Sequence, residues 1–518
     1  MNGAESLVGT AAAAGVDVCF ANPGTTEIDL VRALDAVGGI RPVLGLFEGV
    51  CTAAADGYGR MAGRPALALL HLGPGLANGL ANLHNAQRAR TPLVCVVGEH
   101  ATWHLRRGAP LETDIEGLAR PVSAWVRTST AAAEVGADTA AALAAAGSAP
   151  GVATLIVPAD CAWSEPGAPG PARAPAPPAP VADAVVAAAR RMLTGPGPVA
   201  LLVGGAALGE RGLRAAGRIA AATGALLLAE TFPARWERGG DLPAAQRLPY
   251  FPELATAALA PASGVLLAGA RPPIAFFGYP GLPSELTPAG TPVATLAEPA
   301  EDAVEALERL ADALGAPAWA PGPAASPPPS SAGPPPPDAP LTPVAAAAVI
   351  AAGQPEGAIV VDEGLTLSAD YVEAAAAAPR HSDLGVTGGS IGLGLPAAAG
   401  AAIACPDRPV LCVQADGSGM YTVQALWTHA REGLDVTTLV CANRSYRILL
   451  EELRRAGVEE PAPRARALTG LGDPPLDWVA LGRGMGVPSV RATTGAELAA
   501  ALRRALAEPG PHLVEMVL

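Results

Sequence analysis

The sequence predicts an α/β fold of three doubly wound parallel-sheet domains, and three observations carry that expectation. Short Val/Leu-rich runs alternate with longer Ala-rich segments along the whole chain, the pattern of parallel strands covered by helices on both faces. Two Pro-rich stretches, 164–180 and 316–343, cannot form helix or sheet interiors and read as semi-rigid connectors. The 518 residues suit about three domains of roughly 150 residues each. The expected blocks are 1–165, a central domain at 182–315, a Pro-rich linker at 316–343 and a last domain at 344–518.

In the first block "VDVCFANP", "RPVLGLFE", "PALALLHLGPG" and "PLVCVVGE" read as strands, and Val50 to Tyr58 reads as a helix packed through small residues. The central block offers "PVALLVGGAALGERG", a strand, a Gly turn and a helix, then the strands "ALLLAE" and "GVLLAGA". In the last block the strands are "AIVVDEG", "PVLCVQADG", "DVTTLVCAN" and "PHLVEMVL", with a helix expected from about Thr422 to Glu432.

Bulk chemistry excludes several functions. The net charge of −14 leaves no basic face for nucleic acid. Every one of the 34 basic residues is Arg, so a Schiff-base lysine and a GxxxxGK[ST] phosphate loop are both excluded. The seven cysteines form no CxxC pair and read as reduced, buried thiols. No run of 18 strongly apolar residues predicts a membrane span, and "MNGAESLVGT" has no signal-peptide pattern, so a cytoplasmic location is expected.

Ligands of open parallel sheets gather at the C-terminal ends of the strands. Asp416 follows the strand "PVLCVQ", and Asn443 follows "DVTTLVCA" 27 residues later. One carboxylate and one amide oxygen at neighbouring strand ends suit a hard cation such as Mg²⁺. Gly417 and Gly419 let a diphosphate approach the backbone at a helix N-terminus. An Asx turn and an unrelated loop Asn explain the same residues. Glu48 raises a parallel question, because it sits in the middle of an apolar run where burial of a charge is costly. Taken alone, a helix N-terminal Glu satisfied by the helix dipole accounts for it.

The segment "ADGSGMYTVQALWTHAREGLDVTTLVCANRSY" resembles the GDG to NN motif of the thiamine-diphosphate-dependent decarboxylase and acetolactate synthase family, with Ala415 and Ala442 as departures that remove no ligand. The resemblance implies that Asp416, Asn443 and the Ser445 carbonyl hold Mg²⁺, with Gly417 and Ser418 near the diphosphate and Tyr446 beside the cofactor. "TGGSIGLGLP" is similar to the family's segment under the thiazolium ring: the Gly389 carbonyl would accept from the aminopyrimidine, and Ile391 would wedge the cofactor into a bent shape. "VDEGLTLSAD" resembles the diphosphate grip, with Thr366 its donor. Upstream, "FEGVCTAAADGYGRMAGRPALALLHLGPGLANGLANLHNAQ" resembles the pyrimidine-binding domain. By that match Glu48 is the glutamate that activates the cofactor through its pyrimidine nitrogen, and Asn78 contacts the cofactor. The three domains are then pyrimidine-binding, central and diphosphate-binding.

"FANPGTTEIDL" and "LLHLGPG" are similar to the benzoylformate decarboxylase branch, which implies an adduct-positioning Thr25 and a proton-handling His71. That branch's second catalytic His has no counterpart in "ARPPIAFFGYPGLPSEL", which offers Phe276, Phe277 and Tyr279 instead. The implied activity is 2-oxo acid decarboxylation with carboligation possible. The alternatives are an acetolactate synthase-type carboligase and a non-catalytic thiamine-diphosphate-binding homologue. The family implies a homodimer or homotetramer with sites at subunit interfaces. "VGGAALGERG" lacks GxGxxG spacing, so FAD is not expected.

Overall fold

The structure, a computed structural model, describes residues 1–148, 151–171, 173–320 and 339–518. Residues 321–338 of the expected linker lie outside the described residues. The chain divides into two units. One holds the described residues of Met1–Ala176, Pro328–Ala375 and Val386–Leu518; the other holds those of Pro177–Pro327 and Ala376–Gly385.

The first sheet comprises β1 Val18–Asn22, β2 Arg41–Leu44, β3 Ala66–Leu70, β4 Leu93–Glu99, β5 Trp125–Thr128 and β6 Val152–Pro158. Its order is β2-β1-β3-β4-β6-β5, and every pair is parallel. Alternation along β3 shows why both faces are covered. Leu67 and Leu69 join a core with Leu7 and Leu34, whereas Ala68 and Leu70 join one with Tyr58, Leu76 and Leu83. The chain reverses its winding between β1 and β3, so their C-terminal ends open a crevice.

In the smaller unit lie β7 Val199–Val203, β8 Leu226–Ala229, β9 Trp236–Arg238, β10 Gln246–Arg247, β11 Gly264–Ala268 and β12 Val293–Ala297. Five of them form a parallel sheet in the order β10-β8-β7-β11-β12. After β7, the Gly turn is closed by Glu230, whose carboxylate accepts from the Gly205 N–H at 2.9 Å. Phe232, Tyr250, Phe276 and Phe277 stack in the same unit with centroids 4.8 to 6.1 Å apart.

The last block contributes β13 Ala358–Glu363, β14 His381–Gly385, β15 Val410–Ala415, β16 Val436–Ala442, β17 Ser489–Ala492 and β18 His512–Val517. Within the larger unit β13, β15, β16, β18 and β17 lie side by side in that order, all parallel. β14 instead pairs antiparallel with β9, Asp383 opposite Trp236.

Small residues join the two sheets of the larger unit. Helix Glu48–Ala62 crosses helix Gly394–Ala404 so closely that a Cβ at Gly57 would lie 2.1 Å from the Ala397 carbonyl oxygen. A Cβ at Gly400 would lie 1.9 Å from the Ala54 oxygen. The runs "AAADGYG" and "PAAAGAA" are therefore contact surfaces, in which any larger side chain would force the helices apart.

One expected element differs. The helix predicted from about Thr422 is a short Asp416–Gly419 turn followed by a helix over Ala425–Glu432. Thr422 donates its hydroxyl to the Gly392 carbonyl at 2.9 Å, a tertiary bond that ties the intervening residues to another segment.

Candidate active site

Two clusters of polar side chains stand at strand ends of the larger unit. The first lies at the winding reversal of the first sheet. β3 ends at Leu70, and His71 caps helix Leu72–Ala89. Leu72 adopts φ 53°, a left-handed backbone that turns the chain sharply at this histidine. The turn after β1 places Glu27 beneath the ring, its carboxylate 2.7 Å from His71 Nδ1. Glu27 is fully buried. It accepts two further bonds, from the Gly24 N–H at 2.8 Å and the Thr26 hydroxyl at 2.5 Å.

A carboxylate on Nδ1 selects the tautomer protonated there and leaves Nε2 for a substrate. Glycines make the close approach possible. A Cβ at Gly24 would lie 2.3 Å from His71 Nδ1, and one at Gly98 would lie 1.7 Å from Glu27 Oε1.

Glu48 opens its helix and accepts from Asn78 Nδ2 at 3.0 Å. It is half-buried, with the positive end of the helix dipole on its own side. Glu48 and His71 flank one glycine: a Cβ at Gly75 would sit 3.3 Å from Glu48 Oε1 and 3.4 Å from His71 Cβ. Thr25, in contrast, is exposed, and it is Thr26 that lies 3.3 Å from His71 Nδ1. His100 and His104 sit on the loop after β4 with rings 5.5 Å apart.

The second cluster gathers the ends of β13, β15 and β16. Asp416 accepts from the Gly417 N–H at 2.8 Å and the Arg444 N–H at 2.7 Å. It is buried, and desolvation pushes its carboxyl above the usual range while those amides pull it back. Asn443 Nδ2 donates to Thr366 Oγ1 at 3.0 Å, which aims Oδ1, and Oδ1 accepts from the Ser445 N–H at 2.9 Å.

The Ser445 carbonyl accepts no hydrogen bond among the described residues. One carboxylate, one amide oxygen and one carbonyl form the hard-oxygen donor set that Mg²⁺ takes alongside water and phosphate. Among the described residues no group of three His, Cys, Asp or Glu could hold a metal by itself. A Cβ at Gly417 would strike the Tyr446 ring at 2.6 Å, so this glycine lets the ring cover the turn. The Ser418 hydroxyl bonds inward, donating to Ala415 O and accepting from Gln414, and the Ser418 carbonyl accepts from the Tyr421 N–H at 3.2 Å.

The segment from Thr387 to Gly392 carries Gly389 at φ 74° and a half-buried Ile391. It is pinned by helix Leu72–Ala89. Asn85 donates to the Ser390 carbonyl at 2.7 Å, His84 Nε2 lies 3.2 Å from the Gly388 carbonyl, and Asn82 bridges the Gly49 and Gly392 carbonyls at 3.0 and 3.3 Å. Among the described residues no hydrogen bond joins Glu48 to the Asp416 cluster.

Sequence reasoning did not find Glu27. As an acid in a first helical turn it has an ordinary explanation, and only the fold brings it under His71. No helix among the described residues is long and apolar enough to cross a membrane.

Comparison with known proteins agrees with this chemistry. Residues 1–118 match the thiamine pyrophosphate enzyme N-terminal TPP binding domain, and residues 367–516 match the corresponding C-terminal TPP binding domain. The chain is 53% identical over 518 residues to the "Putative acetolactate synthase large subunit IlvX" of Mycobacterium tuberculosis, covering 100% of this chain and 99% of that relative. It is 31% identical to the benzoylformate decarboxylase of Pseudomonas aeruginosa, covering 97% and 96% of the two chains. A solved Rhodococcus jostii thiamine diphosphate-dependent 4-hydroxybenzoylformate decarboxylase superposes with a TM-score of 0.84 at 25% identity, over 100% of this chain and 99% of the other. Two matched cofactor-binding domains and a full-length likeness leave one conclusion: the chain belongs to the thiamine pyrophosphate enzyme family, as a cofactor-dependent enzyme of its decarboxylase and acetolactate synthase group.

Proposed function

We propose that the chain decarboxylates 2-oxo acids in the manner of a benzoylformate decarboxylase, with Mg²⁺ anchoring the diphosphate of its cofactor. The observation that carries this reading is His71, held by buried Glu27 and set beside Glu48. When bound, thiamine diphosphate supplies the electron sink for the pair left by departing CO₂.

The residues of the chain supply the rest. Asp416, Asn443 and the Ser445 carbonyl would hold the metal, and Thr366 aims Asn443. Gly417 and Ser418 offer backbone to the diphosphate, and Tyr446 closes over that turn. The Gly389 carbonyl would accept from the pyrimidine amine, and Ile391 would support the ring. Glu48 would hold a proton against the pyrimidine nitrogen, with Asn78 fixing its rotamer. His71 would give or take a proton at Nε2, and Thr25 stands exposed near this turn.

A homodimer or homotetramer is part of the proposal. Leu46, Leu365, Tyr421 and Leu449 are 44 to 54% exposed around the two clusters, an apolar rim that a second copy would cover. Flavin is not part of it, because the Glu230 carboxylate lies at the Gly turn where a dinucleotide diphosphate would need donors. Seven free cysteines fit a reducing cytoplasm.

One observation favours a second reading: the 53% identical relative bears an acetolactate synthase name, which points to carboligation. Purified protein with thiamine diphosphate and Mg²⁺, offered pyruvate, benzoylformate and branched 2-oxo acids, separates the two. Aldehyde with CO₂ supports the decarboxylase, and acetohydroxy acid supports the carboligase. Tight cofactor binding without turnover on any donor would identify a non-catalytic homologue and overturn the proposal.

A further inference from the structure

Glu363, the last residue of β13, is 1% exposed, yet no cationic side chain bonds it among the described residues. A carboxylate buried without a counter-charge is costly unless its lone pairs are filled. Backbone amides fill them here. Oε1 accepts from the Gly392 N–H at 2.6 Å and Oε2 from the Gly394 N–H at 2.5 Å.

Gln414 extends the same clamp. Its Oε1 accepts from the Leu395 N–H at 3.2 Å, and its Nε2 donates to Ser418 Oγ at 2.6 Å, inside the Asp416 turn. The space is shaped for this contact, since a Cβ at Gly394 would lie 2.4 Å from Gln414 Oε1 and 2.9 Å from Glu363 Oε2.

We infer that Glu363 is a positioning residue: by holding the Gly392 and Gly394 amides it fixes the segment bearing Gly389 and Ile391, and through Gln414 it ties that segment to the diphosphate turn at Ser418. The role in cofactor binding rests on the function proposed above; the clamp itself does not. Its logic is geometric. Gly389 and Gly392 both have left-handed backbone, φ 74° and 94°, so the segment has many alternatives to its bent path. Asn82, Asn85 and His84 hold it from the helix side, and the Glu363 carboxyl accepts its Gly392 and Gly394 amides from another strand, β13.

The test uses the full chain and the variant Glu363→Gln, whose amide nitrogen must face one of the two N–H groups. In the cofactor-free protein, hydrogen exchange of residues 389–395 should quicken at least about tenfold, with β15 and β16 unchanged. With Mg²⁺ present, thiamine diphosphate should bind at least about tenfold more weakly by calorimetry. Glu363→Asp, too short to reach both amides, should show the same pattern to a smaller degree, and it replaces Glu363→Gln if that variant does not fold. Unchanged exchange in the segment, or an equal rise throughout the sheet, overturns the clamp. Cofactor binding within twofold of wild type overturns the positioning role. If wild-type protein binds no thiamine diphosphate while the variant still loosens the segment, the proposed function fails and the clamp stands.

Discussion

Replacing Glu27 by Gln isolates what the buried charge does for His71. The carboxylate makes three contacts: Oε2 takes the Gly24 N–H and His71 Nδ1, and Oε1 takes the Thr26 hydroxyl. A glutamine carbonyl in the Oε2 place keeps the first two, and its NH₂ meets the Thr26 oxygen, which can rotate to accept. The variant therefore preserves shape and pairing and loses only charge. A hydrogen bond to a charged group is worth about 1.5–3 kcal/mol and a neutral one about 0.5–1.5, so the support for a protonated ring falls by about 1–1.5 kcal/mol. Where proton transfer at His71 limits turnover, kcat should drop about tenfold, with the thermal midpoint near wild type. Glu27→Ala behaves differently, because it strands buried donors at about 1–3 kcal/mol each and should lower the midpoint clearly. The assay is initial CO₂ release on whichever 2-oxo acid turns over, run beside His71→Ala. Wild-type kcat in Glu27→Gln together with a large loss in His71→Ala would refute the claim that the carboxylate assists the histidine.

Three further outcomes follow from the same structure. Gly98→Ala places a methyl 1.7 Å from Glu27 Oε1, so it should displace the carboxylate, reduce kcat as Glu27→Gln does and cost about 1–3 kcal/mol in urea unfolding. If Asp416 holds Mg²⁺ as proposed, thiamine diphosphate with Mg²⁺ should raise the thermal midpoint of wild-type protein, a stabilisation worth about 2.7 kcal/mol at 100 times Kd, and Asp416→Asn should abolish that rise. Burial pushes Glu363 up to about 7, above its unfolded value, despite the amides that favour its charged form. Between about pH 4.5 and 7 the native state then holds the extra proton, so stability should fall as pH rises through that window and level off above it. Urea midpoints across this range should show the slope in wild type and a flatter profile in Glu363→Gln.

Much of the fold was legible because its strands are buried on both faces and read as continuous Val/Leu runs, as in β4, β15 and β16. Several edge strands were not, although β2, at one edge of the first sheet, could be read within "RPVLGLFE". β5, β10 and β17 have two to four residues, and their half-exposed pattern carries no period. Asp416 and Asn443 could be paired as candidates because each directly follows such a buried strand. Glu27 and Glu363 could not, since what distinguishes them is a partner far along the chain: His71 is 44 positions from Glu27, and Gly392 is 29 from Glu363. Thr25 shows the same limit from the other side. A hydroxyl run one residue long or short changes which oxygen meets the histidine, and only the turn geometry gives that place to Thr26.

Backbone strain ties these residues together. Among the described residues five other than glycine have positive φ, and three of them adjoin candidate site groups: Leu72 follows His71, Leu365 precedes Thr366, and Arg444 separates Asn443 from Ser445. Such a conformation costs about 1–2 kcal/mol per residue and persists only where the surroundings enforce it. At Arg444 the enforcing bonds are its own N–H to Asp416 and its carbonyl accepting from the Leu471 N–H at 2.8 Å, so the turn holds two oxygen donors against the third. The side chain itself is exposed, which separates backbone from burial. Arg444→Gly relieves about 1–2 kcal/mol of strain and adds about 0.5–1 kcal/mol of unfolded-state entropy, so it should stay within about 1 kcal/mol of wild type and keep Mg²⁺-dependent cofactor binding. Arg444→Val loses the same charge but puts a β-branched residue where it fits worst, and it should weaken that binding at least about tenfold. Equal affinities in the two variants, measured by calorimetry, would show that the left-handed turn does not set the donor geometry, because charge and exposure are matched and only the cost of the backbone differs.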